Sequence, residues 1–439
     1  MEVLSLLRKK AFWILDYMRG SLVKDAYNDI KKIDELDSSD DFISKYQKEA
    51  WKELKEKACS KTRAYAPYAN SSFFEFPMIT KQDIRNAQED FLSVEFNKDE
   101  LIQMSTSGST GTPFVCYQNS TKKCRVNAEV IYYSEKVGYK LGENLSYIRT
   151  IVKQNKKSNL KQFIQNQSLI NCGQLSDEGI ERILRSIQRE SKKGKVTLLA
   201  YGSTYTALKD YILKHNIKNF GGCNVKGIIS GSDMLFDETR EVVSNAFDHA
   251  VMVSRYSNEE NGVIGQDEGI NNVFVINEAD YIVEILDENA KTVPEGTLGR
   301  IVVTDLFNYA MPMIRYDTGD MGAIQTFDIN GKRKKCICQF SGRRVDVIFD
   351  ADGNALSPHA ITNAMWDFPD ILQFQLIQVA HRTYKLKLNV PDSFKREKQL
   401  LEDLKQVLGE NALVEIQRVN EIPVLASGKR RYIVNEWKK

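Results

Sequence analysis

Apolar positions in the first hundred residues recur with helical spacing. Leu4, Leu7, Ala11, Ile14 and Met18 follow one another at intervals of three or four, as do Phe42, Tyr46, Ala50 and Leu54. That period puts side chains on one face of a helix. It predicts a mainly helical N-terminal part, residues 1–95, with apolar stripes packed inward and charged faces in water. Phe76 to Ile84 reads as an extended piece leading into a helix capped by Thr80.

After residue 120 the pattern alternates. A helix over 122–137 precedes a strand at 147–152, and Ser176 caps a helix carrying Ile180, Ile183, Leu184 and Ile187. Strands at 196–200, 225–229 and 251–253 follow, separated by helices ending at His215 and Phe247. Alternation of this kind predicts an α/β fold with a wound parallel sheet. Such sheets take ligands beyond the carboxyl ends of their strands. Three polar loops should therefore line one edge, at Tyr201-Gly202-Ser203-Thr204, Ser230-Gly231-Ser232-Asp233 and Tyr256-Ser257-Asn258-Glu259-Glu260. From Val273 the period falls to two, with strands at 273–276, 281–286 and 299–304 and a hairpin at Asn330-Gly331. This predicts an antiparallel sheet or small β-barrel appended to the wound part. Beyond Gly342 a smaller α+β unit is expected, with strands at 371–380, 384–390 and 413–419. The expected division is 1–341, comprising the helical part and an α/β plus β-barrel part over 96–341, and then 342–439.

Composition narrows the class. The chain has 439 residues, too many for one ordinary core. Lys plus Arg number 61 against 59 Asp plus Glu, which gives no strong field for nucleic acid. The four histidines are scattered, without the paired spacing of a zinc protease. The seven cysteines form no regular framework and fit reduced thiols. Cys336 and Cys338 are the one close pair and read as strand residues, because two ligands do not make a zinc site. The basic Arg8-Lys9-Lys10 before Ala11 to Leu15 faintly imitates a signal peptide, but the apolar run is short and Asp16 closes it. No stretch reaches the roughly 20 apolar residues of a membrane span. A soluble cytoplasmic protein is expected.

One segment carries candidate chemistry. Ser105, Thr106, Ser107, Gly108, Ser109, Thr110 and Gly111, with Thr112-Pro113, lie between the apolar Leu101 to Met104 and Phe114-Val115. Glycines allow close approach to a ligand and hydroxyls add donors, as a polyphosphate cradle requires. A solvated linker has the same composition. No Gly-Lys-Ser/Thr follows, so this is not a Walker loop, and a phosphate-binding lysine must come from elsewhere.

Read with four other segments, the loop resembles the phosphate loop of the acyl-adenylate-forming superfamily, which includes acyl-CoA synthetases, luciferases and adenylation domains. Tyr256 to Glu260 resembles its Tyr-Gly-x-Ser/Thr-Glu motif, and Arg315-Tyr316-Asp317-Thr318-Gly319-Asp320 its Tyr-x-Thr-Gly-Asp motif. Gly342-Arg343 with Asp346 resembles the hinge, and Ala426-Ser427-Gly428-Lys429 the C-terminal Ser-Gly-Lys element. Pro77 to Lys81, Pro294 to Gly299 and Pro312 to Tyr316 are similar to the phenylacetate–CoA ligase branch, particularly its capsular-polysaccharide relatives.

The resemblance implies a large domain of wound α/β subdomains plus a small β-barrel, followed by a mobile C-terminal lid. It implies ATP- and Mg²⁺-dependent adenylation of a carboxylic acid, then transfer of the acyl group to coenzyme A, an amine or a sugar hydroxyl. Lys429 would stabilise the two converging anions, a role that needs a cation. Glu260 would hold Mg²⁺ and Asp320 the ribose hydroxyls. Tyr256 would stack on adenine or serve as a core residue, Gly231-Ser232 would lie near the base, and Arg343 would reach ribose or phosphate. Tyr201, Tyr205 and Arg255 are candidates to touch the acid, with an ion pair from Arg255 to Asp233 or Glu259 as the simpler reading. Ser257 and Glu259 depart from the motif, standing where glycine and a hydroxyl residue are usual, so the Mg²⁺ carboxylate is Glu260 by alignment with Glu259 as the alternative. The segment from Asp350 to Ser357 reads equally as an element entering the site and as a hairpin turn. A different class, a non-catalytic nucleotide-binding module of a polysaccharide assembly complex, is disfavoured by the presence of Lys429, Glu260 and Asp320 together.

Overall fold

The computed structural model describes residues 2–106, 114–151, 157–231, 235, 237–270, 272–287, 289–297, 299–341, 348–353, 355–356, 361, 364–365, 367–368, 370–422 and 433–437. The N-terminal part is helical: α1 (Glu2–Met18), α2 (Leu22–Asp34) and α3 (Asp41–Lys61). In α2, Val23, Ala26, Ile30 and Ile33 are buried, and in α3 Ile43, Ala50, Leu54 and Ala58 are. The α2 stripe and Ile43 pack on Ala128, Ile131, Tyr132 and Tyr133 of α6 (Ser120–Glu135).

Helix α1 corrects the sequence expectation. Its stripe of Leu4, Leu7, Ala11, Ile14 and Met18 is exposed. Asp16 sets the rotation of the helix about its axis. Its carboxylate accepts from the first amides of α2, Val23 N at 3.0 Å and Lys24 N at 2.9 Å. An acidic group at a helix N-terminus satisfies orphan donors and meets the positive end of the dipole. With Asp16 inward, the apolar stripe on the other side of α1 faces out.

Two short helices, α4 (Lys81–Asn86) and α5 (Gln88–Phe91), lead into a hairpin of β1 (Ile102–Thr106) and β2 (Phe114–Gln118). The expected cap of α4 is present. Thr80 Oγ1 accepts from Asp83 N at 3.2 Å, and Asp83 Oδ2 accepts from Thr80 N at 2.8 Å.

The wound part follows as β3 (Asn144–Arg149), α7 (Asn159–Gln165), β4 (Gln167–Asn171), α8 (Asp177–Ser191), β5 (Val196–Tyr201), α9 (Gly202–Lys214), β6 (Val225–Gly231), α10 (Asp237–Ala246) and β7 (Val251–Asn258). Strands β3 to β7 pair in parallel, and their connections reverse direction at β3, which has β4 on one side and β5 on the other. Helices α8, α9 and α10 cover one face through Ile183, Ile187, Leu208 and Val243.

At β7 the sheet changes character. Its partner β8 (Gly262–Asp267) is antiparallel, and so are β9 (Phe274–Ile276), β10 (Tyr281–Leu286), β11 (Gly299–Asp305), β12 (Tyr316–Ile329) and β13 (Lys332–Ser341). The strands expected as an antiparallel sheet or small barrel continue the parallel half in one sheet of eleven, in the order β10-β11-β12-β13-β9-β8-β7-β6-β5-β3-β4. Register shifts in the β11–β12 and β12–β13 pairings bend it.

The C-terminal α/β domain has its own core around Ile348, Phe368, Leu386 and Leu404. It comprises the hairpin β14 (Ile348–Phe349) and β15 (Ala355–Leu356), strands β16 (Gln373–Ala380), β17 (Thr383–Asn389), β18 (Leu413–Arg418) and β19 (Ile433–Asn435), and α11 (Glu397–Leu408). Gly353, with φ of 84°, makes the turn between β14 and β15. Within the described part of 350–357, the hairpin reading is the one seen.

Candidate active site

Strand register brings the first candidates into one row. Tyr201 of β5 pairs with Gly231 of β6, and Gly231 pairs with Arg255 of β7, at the carboxyl edge of the parallel strands. A Cβ added to Gly231 would meet no atom of the described residues within 4 Å. Ser232 and Asp233 lie outside the described residues. Tyr201 is half-buried, while Tyr205, one turn into α9, is fully buried and donates its hydroxyl to Ile229 O at 3.3 Å.

Arg255 is buried, with Nε donating to Gln266 Oε1 at 3.0 Å and Nη2 to Ser134 Oγ at 3.3 Å. Among the described residues no carboxylate stands within ion-pairing distance of it, so the expected bridge to Glu259 is absent. Burial draws the guanidinium down to about 10, opposed by Tyr147, Tyr133 and Glu129. It remains a buried cation held by neutral groups at neutral pH.

The turn from β7 to β8 presents Glu259 to solvent and Glu260 inward, with Glu260 only 1% exposed. Lys81 forms an ion pair with Glu260 Oε1, and Tyr316 donates its hydroxyl to the same oxygen at 3.1 Å. Burial alone would raise this carboxyl; Lys81, a backbone amide and the Tyr316 hydroxyl together outweigh it and hold the group below its usual range. Glu260 Oε2 is buried and has no hydrogen-bond partner among the described residues. An orphaned buried carboxylate oxygen is costly unless something binds it. Mg²⁺ fits that oxygen, because magnesium is commonly held by one or two carboxylates and completed by phosphate oxygens and water. Among the described residues no group of three or more His, Cys, Asp or Glu side chains could hold a metal. The sequence reading assigned no role to Lys81, although Thr80 before it marked the start of a helix.

Lys81 arrives by backbone pairing. Ile79 bridges to Tyr316 in parallel, with Ile79 N donating to Arg315 O at 3.0 Å and Asp317 N to Ile79 O at 2.8 Å. Arg315 adopts φ of 51°, unusual for a residue with a side chain. Its fork makes two 3.1 Å bonds to Glu284, and Nη1 reaches Phe74 O and Phe76 O. Arg315 therefore ties the segment before Lys81 to the sheet, a bidentate use that lysine would not reproduce.

Gln118, at the end of β2, donates to Glu260 O at 3.2 Å. The hairpin strands that hold the 107–113 segment are thus fastened to the Glu260 turn. Ser105 lies exposed at the end of β1, and Thr106 pairs with Phe114 in the hairpin. Ser107, Gly108, Ser109, Thr110 and Gly111 lie outside the described residues, as do Arg343 and Lys429.

Asp320 on β12 is half-buried and accepts from the Tyr256 hydroxyl at 3.0 Å. The Tyr256 ring is buried, 4.7 Å from the Phe340 ring centroid and 6.1 Å from that of Phe274. Ser257, next along β7, is exposed. Cys336 and Cys338 are free and buried in β13 beside Val275 and Ala323, as strand residues.

A charge network beneath the turn escaped the sequence reading. Lys122 and Arg125 of α6 are buried with Glu129, Asp280 and Asp305. Lys122 Nζ lies 2.7 Å from Asp305 and donates to the Tyr281 hydroxyl at 3.0 Å, while Arg125 Nε meets Asp280 at 2.5 Å. The Tyr281 hydroxyl reaches Glu129 Oε1 at 2.7 Å and Asn261 O at 2.8 Å, and Val263 N donates to Glu129 Oε2 at 2.7 Å. These bonds fix Asn261 and Val263, the first and third residues after Glu260. Gly262 between them has φ of 129°, and an added Cβ would strike the Glu129 carboxylate. Three carboxyls face two cations, and desolvation pushes Glu129 up to about 8 despite Lys122.

Residues 348–436 match the family described as the CapK C-terminal domain. Over 375 residues the chain is 26% identical to Protein CapK of Staphylococcus aureus, covering 83% of this chain and 80% of that one. Among solved structures it is similar to 2-hydroxyisobutyryl-CoA ligase in complex with 2-HIB-AMP and CoA in the thioesterification state. There the TM-score is 0.59 at 16% identity, over 90% of each chain. The chain has the adenylate-forming ligase fold. The same ligase in a postadenylation state superposes with a TM-score of 0.54 at 15% identity, over 90% of this chain and 88% of that one.

Proposed function

We propose that this protein is an ATP- and Mg²⁺-dependent ligase that adenylates a carboxylic acid, releases pyrophosphate and passes the acyl group to an acceptor. The observation carrying this reading is Glu260, a buried carboxylate with one oxygen bound by Lys81 and Tyr316 and the other without a partner among the described residues. It adjoins the hairpin of the Ser/Thr/Gly segment, and Asp320 stands on β12, the strand that also carries Tyr316.

In this reading Glu260 binds magnesium with the phosphate oxygens, and Asp320 accepts from the ribose hydroxyls. The magnesium ion, when bound, reduces the repulsion between triphosphate and attacking carboxylate. Lys429 brings a second cation to the developing charge when the C-terminal domain closes. Arg255 favours an acid with an additional anionic or strongly polar group, since a buried guanidinium among neutral partners gains most from an anion. The acceptor is an amine or hydroxyl in capsular polysaccharide biosynthesis, with coenzyme A as the alternative.

ATP–pyrophosphate exchange across aryl acids, amino acids and uronic acids tests the proposal. Exchange with an acid that carries a second polar group is expected. No exchange with any acid, together with ATP hydrolysis to phosphate, would overturn it.

A further inference from the structure

Helix α1 exposes an apolar face that the active site does not use. Its inward side holds Ser5, Arg8, Phe12, Trp13 and the buried Asp16. The outward side carries Leu6, Leu7, Ile14, Leu15, Tyr17 and Met18, with Leu7 56%, Ile14 59% and Tyr17 77% exposed. At 3.6 residues per turn these positions cover about half the helix circumference. That is far more than the scattered apolar residues of an ordinary surface.

Helix α7, joined to α1 through Arg8, carries a second exposed apolar side. Leu160, Phe163 and Ile164 are exposed on one side of it, with Phe163 62% exposed. Arg8 joins the two helices, donating from Nη2 to Phe163 O at 2.9 Å with its guanidinium 5.0 Å from the Phe163 ring centroid.

Charge selects the occupant. Lys9, Lys10 and Arg19 are exposed along α1, and Lys161 is exposed on α7. From residue 3 to residue 19 the one acid is Asp16, which is turned inward, and α7 contains none. A second copy docked face to face would set these cations against their own equivalents, since a two-fold interface pairs identical patches. An anionic lipid surface meets both needs, taking the apolar side chains to the acyl boundary while the long cationic ones reach headgroup phosphates. Among the described residues no helix is long and apolar enough to cross a membrane, so α1 would lie in the interface plane.

We propose that the outer faces of α1 and α7 dock the protein on an anionic phospholipid bilayer. The acidic headgroup supplies attraction and the apolar arc supplies depth. The proposal stands independently of the ligase reading.

Flotation of the full chain with phosphatidylcholine vesicles, with and without phosphatidylglycerol, tests it. Binding to the anionic vesicles should exceed binding to the neutral ones by about tenfold or more, and fall as salt rises. Leu7→Gln with Ile14→Gln, and separately Lys9→Glu with Lys10→Glu, should each reduce that binding about tenfold while leaving circular dichroism and thermal melting unchanged. These side chains are exposed, so loss of folding would not account for the result. Equal binding to both vesicle types would overturn the proposal, as would variants that float like the wild type. A dimer in light scattering that the glutamine variant splits, with no vesicle binding, would overturn it in favour of self-association.

Discussion

Tyr316 donates its hydroxyl to Glu260 Oε1 at 3.1 Å, on the oxygen that Lys81 also engages, so one carboxylate oxygen carries both contacts and its twin carries none from the described residues. Glu260→Gln should keep the volume and lower ATP–pyrophosphate exchange about a hundredfold or more. Lys81→Met strands a buried charge, which costs about 3–5 kcal/mol in closed sites, and toward the lower end here because Lys81 keeps some solvent contact. Thermal melting of the double variant should recover part of that loss. A double variant no more stable than Lys81→Met would contradict the pairing.

Asp320 and Tyr256 should separate by function. Removing the Tyr256 hydroxyl deletes one neutral-to-charged hydrogen bond at 3.0 Å. Removing the carboxylate deletes the proposed ribose ligand. Asp320→Ala should raise the KM for ATP about tenfold or more, equivalent to about 1.4 kcal/mol. Tyr256→Phe should change KM much less and lower stability by about 1 kcal/mol. Equal rises in KM would assign the ribose contact to the pair rather than to Asp320.

Lys429 and the Ser/Thr/Gly segment should also divide. Lys429→Ala is expected to abolish adenylation with ATP binding largely kept, whereas Thr106→Ala or Gly108→Ala should weaken ATP binding itself. Calorimetric ATP titration alongside exchange assays separates the two. Similar losses of affinity in both groups would contradict the assignment.

The buried network predicts a pH effect. Glu129 lies at about 8 in the folded protein against an ordinary value of 4.5, so the folded state binds its proton more tightly. Its contribution to stability is fully present below pH 4.5 and disappears as pH rises through 8. Wild-type Tm should therefore fall from about pH 4.5 to about pH 8 more steeply than that of Glu129→Gln, which imitates the protonated acid. Parallel Tm curves for the two proteins would show that Glu129 does not carry the proton.

Much of the wound half was readable from sequence because strand and helix periods alternate cleanly there. Observed β5, β6 and β7 begin where the apolar runs begin. The turn at Glu260 was harder, since β7 runs on through polar Ser257 and Asn258, and antiparallel pairing with β8, rather than side-chain burial, keeps them in the strand. Helix α1 shows a limit of periodicity. A repeat of three and four tells which residues share a face, and a capping bond from Asp16 decided which way that face points. The network of Lys122, Arg125 and Glu129 escaped because charged residues at helical spacing look like a solvated face. Partners that make burial tolerable, Asp280 and Asp305, come from far along the chain, one from the turn before β10 and one from the end of β11.

The single bridge between Ile79 and Tyr316 has a consequence for dissecting the protein. The cation beside Glu260 hangs from a segment held by that bridge and by the Arg315 fork on Phe74 O and Phe76 O, so residues 74–81 are not a detachable accessory. A chain begun after residue 81 would keep every strand of the large sheet and lose the lysine facing its central carboxylate. Fragments meant to preserve the chemistry therefore have to start upstream of Phe74, where the Arg315 anchor begins.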